Sequence, residues 1–257
     1  MMSWERNIVV KSEKEIAIMR EAGRINALAL AAARALIRPG ITTRELDAAA
    51  EEVVLKHGAK PTFKGVPGAY PYPAATTISV NDELVHGIPG KRKLREGDIV
   101  SVDCGTTLDG FVGDSAFTAG VGEISSQAQR LIEVTEKALY IGIEKMRPGN
   151  RIGDIGAAIQ EFVEGLGYYL TKIYTGHGVG RTMWEGPQVP NYGTAGRGIL
   201  LRKGMTLALE PMVLIGTEET KVLADQWTVA SEDGSLTAHF EHSVAITDGD
   251  PLILTLP

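Results

Sequence analysis

The chain has 257 residues, 44% of them hydrophobic, and a formal net charge of −6. That composition can bury a substantial core, as one large domain or two fused halves, and the acidic balance excludes broad electrostatic binding to nucleic acid or anionic lipid. The lone Cys104 cannot form an internal disulfide and the opening MMSWERNIVVKSEKE lacks the apolar run of a signal peptide, so a cytoplasmic protein is expected.

The first predicted element is a helix. Its most apolar stretch, INALALAAARALI (25–37), is too short for a membrane span and carries Arg34, so it reads as a buried helix. Arg38-Pro39-Gly40 breaks it. A second amphipathic helix then runs to Gly58, a glycine suited to the left-handed conformation beyond a helix C-terminus. This series recurs. RPGITTRELDAAAEEVVLKHG (38–58) aligns without a gap with RPGNRIGDIGAAIQEFVEGLG (147–167), sharing Arg-Pro-Gly, an Ala-Ala pair, a Glu, a Val and the closing Gly. A second colinear match, LREGDIVSVD (94–103) with LRKGMTLALE (201–210), lies at nearly the same offset. Each copy reads as a turn ending in glycine, then an apolar strand finishing on a carboxylate. The chain is therefore read as one unit, 1–257, of two related α+β halves, about 12–122 and 123–250, with a sheet covered by helices on its outer face.

SVDCGTTLDGFVGDSAFTA (101–119) reads as a β-hairpin turning at Asp109-Gly110. Counting out from the turn pairs Leu108 with Phe111, Gly105 with Asp114, and Asp103 with Ala116. Asp103 and Asp114 then project from one face as diagonal neighbours, about 7–8 Å apart between Cα atoms. Two like charges on one face call for a cation.

In the second half, Glu210 ends the strand MTLALE as the repeat partner of Asp103. Glu241 lies in LTAHFEHSVAIT, read as one alternating strand, at the place corresponding to Asp114. His177 stands in the glycine loop TGHGVG, where bare backbone would let substrate and metal approach closely. Four carboxylates and one imidazole suit two divalent ions of Mn, Fe, Co or Zn. Such a pair, about 3.5–4 Å apart, activates water and polarises a carbonyl, which is hydrolytic chemistry. Taken singly, each residue has an ordinary reading, as a solvated strand end or a structural histidine. The equivalence of Asp103 and Glu210 in the repeat favours a shared site.

The ordered set DCGTTLDGFVGD, TGHGVG, LALEP and HFEHSVAIT resembles the type I methionine aminopeptidases, as do VKSEKEIAIMREAG and ISVNDELVHGIPG. The resemblance covers about residues 12–250. It implies the pseudo-twofold pita-bread fold, with a central antiparallel sheet covered by helices on its outer face. It also implies an enzyme that removes the initiator methionine from nascent proteins when the second residue is small. In that family Asp103 would chelate one metal, Asp114 and Glu241 would bridge both, and His177 and Glu210 would complete the shells. Glu210 would also act as the base for the attacking water. His86 would contact the scissile peptide and help pass a proton. Phe63, Met183 and Trp227 would line the methionine pocket, with Tyr70 and Tyr72 near its entrance.

His239 shares a strand face with Glu241 and would support the metal site; His242 would be structural, His57 exposed and Cys104 buried. The family's task implies a ribosome contact near the exit tunnel, and a monomer is expected. The chain departs from the family at Trp184-Glu185-Gly186-Pro187, where many members have His-Glu-x-Pro. An indole donates one hydrogen bond and cannot titrate, so altered efficiency or pH dependence is expected. Two alternatives stay open: an Xaa-Pro aminopeptidase or prolidase, relatives that usually carry an extra N-terminal domain for which this chain is too short, and a binding protein of the same fold without catalysis.

Overall fold

The computed structural model describes residues 8–257. Helix α1 (Glu13–Ala35) starts at Ser12, whose hydroxyl and the Glu15 carboxylate form a reciprocal capping box, and α2 (Thr43–Lys56) starts the same way with Thr42 and Glu45. In the second half α3 (Ser126–Glu144) and α4 (Ile152–Gly165) follow in the same order. The repeated Arg-Pro-Gly turns need a residue with positive φ, and Gly40 and Gly149 supply it at +89° and +94°. Gly58 and Gly167, closing α2 and α4, adopt +72° and +81°. The repeat is thus a repeat of backbone conformation. Among the described residues no helix is long and apolar enough to cross a membrane.

The strands of the main sheet pair antiparallel with one another and come from both repeats. Its order is Lys60–Pro61, Ile99–Leu108, Phe111–Gly120, Glu241–Ala245, Thr206–Leu209, Gly176–Gly178 and Glu185–Val189, with Thr76–Val80 also paired to Ile99–Leu108. The junction between halves is the pairing of Glu241 with Ala116 and His242 with Ser115.

Helix α1 lies hard against the hairpin. A Cβ on Gly113 would fall 2.6 Å from the Gly23 backbone, so two glycines permit the approach. Asn26 is fully buried on that face; its amide donates to the Cys104 carbonyl and, at 3.3 Å, to the Gly113 carbonyl, and accepts from Ser115. The core between helices and sheet includes Leu46, Val102, Leu131, Leu139, Ile155 and Leu209, each almost wholly buried.

One expectation is corrected. LTAHFEHSVAIT is not a single strand: Thr237–His239 pairs with Met212–Leu214 in a separate sheet, while Glu241–Ala245 belongs to the main one. Thr206–Leu209 stops in the same way before Met212–Leu214. Pro211, which has no N–H to offer the ladder, stands at that break, and its carbonyl accepts from Phe240 N–H at 3.4 Å. Two neighbouring segments therefore change sheet together. Glu210 and Glu241 sit at the point of change.

Candidate metal centre and pocket

The hairpin folds in the register counted from its turn. Asp109 and Gly110 both take positive φ, +48° and +77°, as a two-residue I′ turn requires, and Leu108–Phe111, Gly105–Asp114 and Asp103–Ala116 are partners. Asp103 and Asp114 are both buried. His177 occupies the short strand Gly176–Gly178, opposite Ala208 and Gln188. Its Nδ1 lies 2.9 Å from the Gly178 carbonyl. A proton on Nδ1 satisfies that bond and leaves the Nε2 lone pair directed inward. Nε2 is 3.8 Å from an Asp114 oxygen and 3.5 Å from a Glu210 oxygen.

Ligand atoms of Asp114, His177 and Glu241 lie within 4.8 Å of one another. Asp103 and Glu210 line the same cavity, of about 290 Å³. Burial pushes the carboxyls of Asp103, Glu210 and Glu241 well above their ordinary range, with the charge on Asp114 adding to each. Asp114 is pushed up to about 7, again by burial, and His177 is pulled down to about 4 by the same cause.

Among the described residues, Asp103 Oδ1, Asp114 Oδ1, Glu241 Oε1 and His239 Nε2 are buried without a hydrogen-bond partner. Buried polar atoms are normally paired, and buried carboxylates above all. The orphaned oxygens, the inward imidazole lone pair and the oxygen-rich donor set fit a divalent first-row cation.

The glycines around His177 have a structural reason in the packing of the sheet. A Cβ on Gly176 would crowd the Ala208 and Val189 carbonyls, and one on Gly178 would lie 2.7 Å from the Gly186 carbonyl carbon. They admit neighbouring strands of the protein. His239 lies behind the cluster, its Nε2 3.8 Å from Glu210 and 3.9 Å from Glu241. Burial, with His86 nearby, pulls it down to about 3.

Phe63, Met183 and Trp227 pack with Val66 and Tyr72 as one apolar cluster on the cavity wall. Gly105 lies close against this cluster; a Cβ there would meet Met183 at 2.6 Å and Phe63 at 3.1 Å. Tyr72 is buried in this wall rather than at the entrance, edge-on to Trp227 at 5.1 Å. Tyr70 is exposed and braces Trp227 from outside, with its ring 6.4 Å away and its backbone carbonyl accepting from the indole N–H at 3.2 Å. Elsewhere the wall is open to solvent through Ile173, Trp184 and Gln188. The Trp184 ring stands 6.4 Å from that of His177.

His86 lines the cavity in the left-handed region, at φ +62°, with its ring 5.9 Å from Tyr174. Such a backbone costs on the order of 1 kcal/mol and persists where the surroundings fix it. Here Gly87 fixes it: its carbonyl accepts from Ile78 N–H and Tyr72 O–H, both at 2.8 Å, and its N–H donates to Ser79 at 3.1 Å. Burial pulls His86 down to about 4.

Sequence reasoning passed over Lys11. It is buried and ion-paired with Glu185, the residue next to Trp184. A buried glutamate needs a cation, so Glu185 held the clue; nothing in the sequence named Lys11. The minor histidines are as expected: His57 is exposed, and His242 bonds Thr255 at 2.8 Å.

A helix-covered antiparallel sheet with buried carboxylates and a histidine converging on one cavity defines a metallopeptidase. Over residues 17–248 the chain matches metallopeptidase family M24, and it belongs to that family. It is 50% identical over 249 residues to a methionine aminopeptidase of Clostridium perfringens, covering 97% of this chain and 99% of that one. It is 49% identical over 248 residues to methionine aminopeptidase 1 of Bacillus subtilis, covering 96% and 99%. The crystal structure of methionine aminopeptidase from Thermotoga maritima superposes with a TM-score of 0.95 at 46% identity, over 98% of this chain and 100% of that one. Prolidase from Pyrococcus furiosus shares the pita-bread fold at a TM-score of 0.79 and 25% identity, and the chain spans 66% of its length.

Proposed function

We propose that the chain is a methionine aminopeptidase, hydrolysing the first peptide bond of peptides and nascent proteins that begin with methionine. The observation that carries this reading is the junction of an apolar cleft, built by Phe63, Tyr72, Met183 and Trp227, with a cluster of unpaired carboxylates. The cleft takes an unbranched thioether side chain, and the cluster lies where the peptide bond beside it would rest.

Asp103, Asp114, His177, Glu210 and Glu241 would hold two divalent ions, of Mn, Fe, Co or Zn. When bound, such ions supply a Lewis acid for the scissile carbonyl and acidify water. The protein's own groups do the rest. Glu210 accepts a proton from the attacking water and returns it to the departing amine. His86, neutral at working pH, hydrogen-bonds the scissile peptide and relays a proton. Trp184, where relatives often carry histidine, offers the carbonyl an indole N–H and no titrating group. His239 supports Glu210 and Glu241 from behind.

The test is release of free methionine from Met-Ala-Ser, with Ala-Pro-Gly as the competing substrate, in the presence and absence of Mn²⁺ or Co²⁺. Metal-dependent methionine release without cleavage of Ala-Pro-Gly is expected. No methionine under any metal, together with no bound metal by elemental analysis, would contradict the reading, and cleavage of Ala-Pro-Gly alone would transfer it to the prolidase class.

A further inference from the structure

The turn 180–185 brings Met183 and Trp184 to the cavity, and three contacts hold it. Val112 N–H, two residues from Asp114, donates to the Gly180 carbonyl at 2.8 Å. The Arg181 guanidinium lies 4.3 Å over the Phe111 ring and 3.0 Å from Glu15 of α1. The third contact is of a different kind. Glu185 directs its carboxylate beneath the turn, where Oε1 accepts from the Arg181 backbone N–H at 2.7 Å and Oε2 pairs with the Lys11 ammonium. Both side chains are shut away from water, at 2% and 8% exposure. A Cβ on Gly180 would fall 2.6 Å from both Lys11 Nζ and Glu185 Oε1, so a glycine lets the turn close over the pair.

Lys11 is itself pinned. Its backbone N–H donates to the Gly204 carbonyl at 2.7 Å, in the turn leading to Thr206–Leu209, and its ammonium donates to the Val9 carbonyl at 3.2 Å. Three residues earlier, Ile8 bridges Gly186 in parallel. The segment 8–11 therefore runs as a strap along the turn that carries two cavity residues. A buried ion pair is a poor source of net stability compared with apolar side chains of the same size. What it supplies here is direction, because one carboxylate joins the turn's own backbone to a cation fixed elsewhere.

We infer that Lys11 is a positioning residue for the cavity: by neutralising Glu185 it sets the turn 180–185, and with it the places of Met183 and Trp184 beside His177. The substrate in this inference rests on the aminopeptidase reading. Lys11→Met keeps the length and removes the charge. It is expected to lower kcat/KM for Met-Ala-Ser by about tenfold or more, chiefly through a rise in KM, while Mn²⁺ affinity stays within about twofold, as lost placement of the pocket and of the Trp184 contact predicts. Where that variant fails to fold, Lys11→Met with Glu185→Gln leaves no buried charge and keeps an acceptor for the Arg181 N–H; the same rise in KM is expected. Amide hydrogen exchange across 180–186 should quicken in both variants, with or without metal. Unchanged KM and unchanged exchange would overturn the inference, as would a loss confined to kcat or thermal stability. If the wild-type protein releases no methionine, the aminopeptidase reading falls, and the exchange measurement alone decides the role of Lys11.

Discussion

The first half of the molecule presents Asp103 and Asp114 from one continuous hairpin, whose register follows from a two-residue turn. The second half presents Glu210, Glu241 and His177 from three separate segments, two of them at the point where neighbouring strands leave one sheet for another. One half is built by local pairing and the other by long-range packing, although the two carry the same repeated sequence pattern. The lesson is that a pseudo-symmetric site need not be supported symmetrically. Damage to the hairpin should act through the charges it carries. Damage to the second half should act through the geometry of the backbone as well.

The largest effect is expected from Asp114→Ala, which removes a central carboxylate of the cluster. Losing about 4 kcal/mol or more of transition-state stabilisation corresponds to a fall in kcat/KM of about 10³-fold or more, with the fold intact by circular dichroism. Gly178→Ala tests the other half. The new methyl would meet the Gly186 backbone, so a stability loss of about 1–3 kcal/mol from overpacking is expected by thermal unfolding, with weaker metal binding because His177 moves with its strand. If the two variants prove alike, both intact in fold and both merely uncharged in effect, the comparison is broken.

His239→Ala should weaken Mn²⁺ binding by about 10–100-fold, as loss of a group behind the ligands does in other metal sites. Isothermal titration calorimetry checks this. The pH dependence of the metal-free protein follows from Asp114, whose carboxyl is raised from 3.8 to about 7 in the folded state. Below about pH 4 the group is protonated both folded and unfolded and makes no difference. Between about pH 4 and 7 the unfolded chain ionises this carboxyl while the folded state still holds its proton, so stability falls across that interval and levels off once pH passes 7. Chelator-treated protein should therefore melt at lower temperature at pH 8 than at pH 5, and added Mn²⁺ should reverse most of the difference. A flat profile would show that these carboxylates are not stressed without metal. The smallest effect concerns Trp184→His, expected to add a titrating group to the pH profile of kcat/KM. An unchanged rate and profile would mean that position 184 makes no catalytic contact.

What the sequence made legible follows the same division. The Asp109-Gly110 turn has φ signs that few other residue pairs tolerate, so the hairpin and its two aspartates could be counted out residue by residue. The Arg-Pro-Gly repeat exposed the helices, and the colinear match of 94–103 with 201–210 exposed the equivalence of Asp103 with Glu210. The double change of sheet at Glu210-Pro211 and Phe240 was hidden, because alternation continues through HFEH as if the strand were unbroken. The close approach of Ala208 and Gly186 to the glycines beside His177 is hidden too, since sequence does not reveal which backbone approaches. Left-handed His86 depends on bonds from Gly87 to Tyr72, Ile78 and Ser79, and the Lys11–Glu185 pair on contact between distant segments; periodicity carries no trace of either.

Anomalous scattering from crystals soaked in Mn²⁺ tests the central claim most directly, that the two halves complete one metal centre. The account predicts density for two ions in the cavity, ligated by Asp103 and Asp114 from the hairpin together with His177, Glu210 and Glu241 from the second half. An absence of density there, or an ion held by residues of one half alone, would contradict it.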